Sequence, residues 1–192
     1  MTPFDTECLE SFASWLEGLP AEVAALSELV ERPTAPEPLR RASAESLAFL
    51  LRSFRLIPDG VESLGYLENL FAFRAIALGV ANVATEAGGD EMSMPAEGTA
   101  AEKTVARLAR EAELVARFLG DDFGRLHEAV ALADERTRPG ERAHDLLGND
   151  ESRAALLGQI RAWASDYRAP ELPTTEGELL KLRAFMRARL HS

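Results

Sequence analysis

The sequence predicts an all-α protein, a multi-helix bundle built around a central apolar helical hairpin. Three observations carry this reading. Alanine, leucine, glutamate and arginine, all strong helix formers, dominate the chain. Valine and isoleucine are few, and no run alternates with the period of two that a half-buried strand requires. Apolar residues recur instead at helical spacing. Leu47, Leu50, Leu51 and Phe54 stand at i, i+3, i+4 and i+7, and Ala101, Val105, Leu108, Ala112, Val115 and Leu119 are spaced 4, 3, 4, 3, 4.

Taken in order, a short helix is expected over Asp5–Gly18, ended by "GLP", and a second over Ala21–Glu31. "RPTAPEP" (Arg32 to Pro38) is a linker that no helix can cross. A helix follows over Leu39–Phe54, and then "LFAFRAIALGVANVA", apolar on nearly every side, which suits the middle of a bundle. "EAGGDEMSMPAEG" (Glu86 to Gly98) reads as a flexible acidic loop. Beyond it the six-residue seam from Ala101 forms a helix. Leu156, Ile160, Trp163 and Tyr167 repeat the 4, 3, 4 pattern in a later one. "GDDF" at Gly120 and "GNDE" at Gly148 each read as a helix stop followed by an N-cap. The last helix opens at "TTEGE", where Thr175 and Glu178 have capping-box spacing.

Bulk properties narrow the function classes. The net charge of −11 argues against a nucleic-acid binder, because phosphate recognition needs a basic surface. Cys8 is the only cysteine, which excludes an intramolecular disulfide and a thiolate zinc cluster. "MTPFDTECLESF" is acidic where a signal peptide is basic, and the most apolar window, Leu64 to Ala84, carries Glu68, Asn69, Arg74 and Asn82. A soluble, reduced, cytoplasmic protein is the expectation. Residues 1–85 carry 6 basic and 12 acidic groups, whereas residues 99–192 carry 15 and 16. The difference in surface favours an N-terminal helical unit over 1–85, with its hairpin at about 36–81, and a C-terminal helical unit over 99–192. The loop 86–98 joins them, and the two units either stand apart or pack as one domain.

At the centre of the first unit lies "RLIPDGVESLGYLENL" (Arg55 to Leu70). Ile57 precedes a proline and is pushed out of the α region, so the preceding helix is expected to end there. Asp59 is a good N-cap, and Glu62 follows three residues later as an acidic capping-box partner. Gly60 falls at the first helical position, where its low propensity costs little. Pro58 and Asp59 thus specify a corner between two apolar helices.

These residues carry a resemblance. Leu56, Ile57, Pro58 and Asp59, with Leu64, Gly65, Tyr66 and Leu67, resemble the signature of the YkvA-like domain of unknown function, and "PEPLRRASAESLAFLL" suits that family's first helix. The similarity runs from about Pro36 to Ala81. It departs at the acidic positions: Arg55 stands where the family usually has Asp, and Glu68–Asn69 replaces an Asp-Asp pair. The resemblance implies a helical hairpin of bacterial origin, and no established reaction comes with it.

Four constellations could carry chemistry. Asp59, Glu62 and Glu68 could converge on Mg²⁺ or Mn²⁺, but a cap, its partner and a solvated face account for the same residues. Arg74 is the odd residue of the central helix; buried, it needs a carboxylate partner from a neighbouring helix, and otherwise it snorkels to the surface. His127, His144–Asp145 and Asp166 occur in the order of the helical HD-type metal phosphohydrolases, although His127 and His144 are only 17 residues apart. The last helix puts Leu179, Leu182, Phe185, Met186 and Leu190 on one side among Lys181, Arg183, Arg187 and Arg189. That pattern suits a membrane surface or a partner groove. It equally suits a packed helix whose cations complement its own dipole, which is the reading favoured here.

No Ser-His-Asp or Cys-His set is readable, and no glycine loop follows a strand. The expectation is a protein-interaction or scaffolding module without a cofactor. A metal-dependent hydrolase using the hairpin carboxylates or the His/Asp set is the alternative.

Overall fold

The structure, a computed structural model, describes residues 1–51, 62–86, 98–135, 142–172 and 175–191. Among them the chain forms eight α-helices and no strand: α1 (Pro3–Glu31), α2 (Glu37–Leu51), α3 (Glu62–Glu86), α4 (Ala100–Leu119), α5 (Phe123–Glu135), α6 (Ala143–Gly148), α7 (Asp150–Asp166) and α8 (Glu176–Leu190). A single 3₁₀ turn, Gly120–Asp122, joins α4 to α5. The protein is an all-α multi-helix bundle.

Helix α1 corrects the expected break at "GLP". It runs 29 residues without interruption, with Pro20 inside it. Its start is fixed by a capping box in which Thr2 accepts from the Asp5 N–H and the Asp5 carboxylate accepts from the Thr2 N–H, and Pro3 occupies the first turn, where no intrahelical donor is needed. Pro20 lacks the N–H that would bond to the Leu16 carbonyl, which ordinarily breaks or kinks a helix at a cost of about 3 kcal/mol. Here a donor comes from elsewhere. The Tyr167 hydroxyl, just past α7, donates to the Leu16 oxygen at 2.8 Å. The break was forecast from local sequence, and the compensation lies 151 residues away.

The expected linker separates α1 from α2, with Pro38 at the second helical position of α2. Nearly every side of α2 is covered, from Leu39 through Ala44 and Leu47 to Leu50. In α3 the run Leu70 to Ala77 is buried throughout. These two helices form the middle of the bundle. The corner between them, with Pro58 and Asp59, lies outside the described residues.

Helix α4 opens on a Thr99–Glu102 capping box and ends at Gly120, whose φ of 61° is a left-handed conformation that favours glycine. All six seam residues, from Ala101 to Leu119, are buried. Asn149 caps α7 by accepting from the Ser152 N–H at 3.0 Å. Two expected caps are not formed. At α8 the Thr175 side chain accepts no cap bond; the Glu178 N–H bonds to the Thr175 carbonyl, and the Glu178 carboxylate pairs with Lys181 at 2.7 Å. After Gly120 the Asp122 carboxylate does not cap α5; it is taken by Arg187 of α8 and by His191 just past that helix.

Helices α1, α3 and α4 meet at a ring triad. Phe12, Phe71 and Phe118 stand 5.0–5.8 Å apart between centroids, two of the three pairs tilted edge to face and the third inclined, and each is almost completely buried. Such pairs add about 0.5–1.5 kcal/mol each beyond the area they bury. Residues from both sides of the 86–98 stretch therefore share one continuous core.

Candidate functional site: the buried charges and where they lead

Along α1 the seam Phe12, Trp15, Leu19, Glu22 keeps a 3, 4, 3 spacing, which carries the Glu22 carboxylate into the core at 1% exposure. On α3, Arg74 stands three residues beyond Phe71 and is fully buried. The two meet. Arg74 Nη2 donates to Glu22 Oε1 at 3.0 Å and to Glu111 Oε2 of α4 at 2.6 Å, and Nη1 donates to the Leu70 carbonyl at 3.1 Å. Arg107 closes the set, with Nη2 on Glu22 Oε1 at 3.0 Å and Nη1 on Glu111 Oε1 at 2.8 Å. Two guanidiniums and two carboxylates balance to zero. Trp15 covers one face of Arg74, whose Cζ lies 3.7 Å from the ring centroid.

Burial pulls the Arg74 guanidinium below its ordinary range, while Glu22 and Glu111 hold it up. A guanidinium this well paired remains charged. The cluster grades from the interior outward, from Arg74 at 0% and Glu22 at 1% through Glu111 at 22% to Arg107 at 42% exposure. Both Arg74 Nη atoms are engaged while its Nε makes no hydrogen bond, and the set of ion pairs fixes how α1, α3 and α4 sit against one another.

A second set lies at the α4–α5 elbow. Arg183, Arg187 and His191 follow one another at four-residue intervals on α8 and its cap. Arg183 Nε donates to the Phe118 carbonyl at 3.0 Å, Arg187 Nε to Asp122 Oδ2 at 2.9 Å, and His191 Nε2 lies 2.7 Å from Asp122 Oδ1. The His191 and Arg187 hydrogen bonds hold the Asp122 carboxyl below the usual carboxylate range. The apolar side of α8 is turned inward, with Leu179, Leu182 and Met186 buried, so this helix packs as an ordinary amphipathic element. Leu180 alone among its large apolar residues is strongly exposed, at 57%.

The His/Asp set is not brought together. His127 sits on the exposed side of α5 against Gly79 of α3, where a Cβ on Gly79 would stand 2.8 Å from His127 Nε2. His144 Nε2 faces its neighbour Asp145 at 3.0 Å and is 55% exposed, and Asp166 closes α7 at the surface. Sequence order placed these groups on helices that do not converge on a point. Among the described residues no group of three or more His, Cys, Asp or Glu side chains is placed to hold a metal ion. Of the hairpin carboxylates, Asp59 and the Glu62 side chain lie outside the described residues. Glu68 is buried at 2% on α3 rather than on a solvated face. Gly65 lies in α3, and the half-buried Tyr66 ring packs edge-on against Tyr167 at 5.1 Å and near Trp163 at 6.3 Å.

Glu22, Glu111 and Arg107 went unread in the sequence because glutamate and arginine on a helix ordinarily mark a solvated face. The available signal was the seam itself: Glu22 holds a position that Phe12, Trp15 and Leu19 assign to the interior. Among the described residues no helix is long and apolar enough to cross a membrane. No protein-family model matches this chain, and no curated protein or solved structure matches it either.

Proposed function

We propose that this chain is a non-enzymatic protein-interaction or scaffolding module that works in the cytoplasm, with a hairpin of YkvA-like kind at its centre. The observation that carries the reading is the closed pairing of Glu22, Arg74, Arg107 and Glu111. These buried charges are paired with one another and lock three helices into a fixed arrangement, which is the property a scaffold requires. The remaining candidates support the same reading. His144 is bonded to its own neighbour, and Asp122 is engaged by Arg187 and His191. A net charge of −11 suits a protein partner with a basic surface, and does not suit nucleic acid.

The test is in-cell cross-linking of the tagged full chain, followed by reconstitution with the purified partner in EDTA. A stoichiometric complex that forms without divalent metal is the expected result. Melting curves of the purified chain should also coincide in EDTA and in Mg²⁺, Mn²⁺ or Zn²⁺. A metal bound at 100 times its dissociation constant would raise stability by about 2.7 kcal/mol. Such a rise, abolished by His144→Ala or Asp59→Asn and accompanied by phosphoester hydrolysis, would replace the scaffold with a hydrolase.

A further inference from the structure

Helix α8 is attached differently from the helices it covers. It buries three side chains, Leu179, Leu182 and Met186, whereas α4 buries ten and α2 nine. Residues 167–172 before it have no regular structure, and its Thr175 cap makes no side-chain bond. Its polar attachments lie at its start and over its second half: Glu176 pairs with the Met1 ammonium at 2.7 Å, and Arg183, Arg187 and His191 engage the α4–α5 elbow. Arg183 reaches the last turn of α4, where a cation complements the helix dipole, and lies over the Phe118 ring at 4.7 Å. Arg187 and His191 grip the buried Asp122.

Helix α8 packs on α1, where Cys8 is fully buried one turn before Phe12; the Phe12 ring meets Phe118 edge to face at 5.2 Å, and Arg183 of α8 lies over that same Phe118 ring. Burial pushes the Cys8 thiol up to about 11, Glu7 pushes in the same direction, and Arg183 of α8 is near enough to oppose them. Arg183 also acts on Asp5 of α1. The charged and titratable groups around the contact are thus Asp122 from the elbow, Glu176, Arg183, Arg187 and His191 from α8 and its cap, the Met1 ammonium, Asp5, Glu7 and Cys8 at and before α1, and Arg117 from α4.

We propose that α8 is a latch, fastened by Asp122, that opens as a unit while α1 to α4 stay folded, and that its closed position shields the Cys8 thiol. Local opening is governed by how much apolar surface an element buries and how many contacts must break together. For α8 that means three buried and two partly buried apolar side chains, the Met1–Glu176 ion pair at its start, the Arg183 bond to the Phe118 carbonyl, and Asp122 held by Arg187 and His191 at its end. When it swings away, it uncovers the only thiol in the chain and frees a basic helix face.

Hydrogen exchange and Cys8 alkylation by iodoacetamide test this on the full chain at pH 8. In Asp122→Asn, the α8 amides and the Cys8 alkylation rate should both rise at least tenfold, with α2 and α3 amides within twofold of the unmodified protein. Arg187→Met removes the clamp from its other side and should give the same pattern, even if Asp122→Asn fails to fold. Lys181→Ala, whose ammonium pairs with Glu178 within α8 itself, should change neither rate. Exchange of α8 in step with α2 and α3 in every variant would overturn the latch. Faster α8 exchange with unchanged Cys8 alkylation would overturn the shielding.

Discussion

The Tyr167 hydroxyl donates at 2.8 Å to the Leu16 carbonyl, the one α1 oxygen that Pro20 cannot engage. This bond repairs the helix at its proline and ties the end of α7 to the middle of α1. Tyr167→Phe should cost about 1–3 kcal/mol, the penalty for leaving a buried acceptor unmatched. Pro20→Ala restores the missing N–H, so the same Tyr167→Phe change in that background should cost less than about 1 kcal/mol. Urea unfolding of the four proteins of this cycle measures the coupling. Additive effects would show that the bond does not compensate the proline.

Burial, with Tyr66 nearby, pushes the Tyr167 phenol up to about 12. In the unfolded chain a tyrosine ionises near its ordinary 10. Because the folded value is the higher, the stability this group contributes is complete below pH 10 and is lost as pH rises from 10 toward 12. Unfolding free energy measured across that range should fall more steeply in the unmodified protein than in Tyr167→Phe.

The quartet gives a prediction of opposite signs. Arg74→Met leaves the buried Glu22 with the half-exposed Arg107 as its one remaining partner in the quartet and should destabilise the bundle by about 3 kcal/mol, the lower end of the cost of breaking a buried pair. Replacing both members, Arg74→Met with Glu22→Leu, leaves Arg107 and Glu111 as a partly exposed i,i+4 pair and should recover most of the loss. Replacing a buried pair by apolar residues is commonly neutral or stabilising. Denaturant midpoints at constant m-value decide between recovery and additivity.

At Asp122 the clamp should fail in acid. Its carboxyl is held below the ordinary range by His191 first and Arg187 second, so the contribution is fully present above about pH 4 and is lost as pH falls through the lowered folded value. Hydrogen exchange in that acid range should loosen α8 before α2 and α3, and Asp122→Asn should remove the difference between neutral and acid conditions.

Gly79 faces the His127 ring, and an added methyl group would meet Nε2 at 2.8 Å. That ring is exposed on α5 and can swing outward. Gly79→Ala should therefore keep most of the helix-propensity gain, up to about 1 kcal/mol. Gly79→Ala on top of His127→Ala should realise the whole of it. Thermal unfolding of the three variants checks the order.

What was legible in the sequence was whatever depends on spacing along one helix. The seam of α4, the Asn149 cap and the apolar middle helix follow from period and punctuation, and the structure places Ala101 to Leu119 and Leu70 to Ala77 accordingly. What depends on a distant partner was not legible. Pro20 reads as a break because its remedy, Tyr167, lies beyond any local window. Asp122 reads as a cap because Arg187 and His191 follow 65 and 69 residues later. His127, His144, Asp145 and Asp166 form a plausible order of residue types, but order along a chain does not bring helices together. Arg74 stood out by its charge in an apolar run, whereas Glu22 and Glu111 did not, since glutamate is ordinary on a helix surface.

The bond between Tyr167 and Leu16 also imposes a schedule on the nascent chain. Its acceptor leaves the ribosome 151 residues ahead of its donor, which at about 5–20 residues per second is a wait of roughly 8–30 s. For the first 102 of those 151 residues Phe12 of α1 lacks the Phe118 ring of α4, and until Tyr167 follows, water must occupy the carbonyl opposite Pro20. The first helix to be made is among the last to be finished, and for those seconds its apolar face is available to a chaperone.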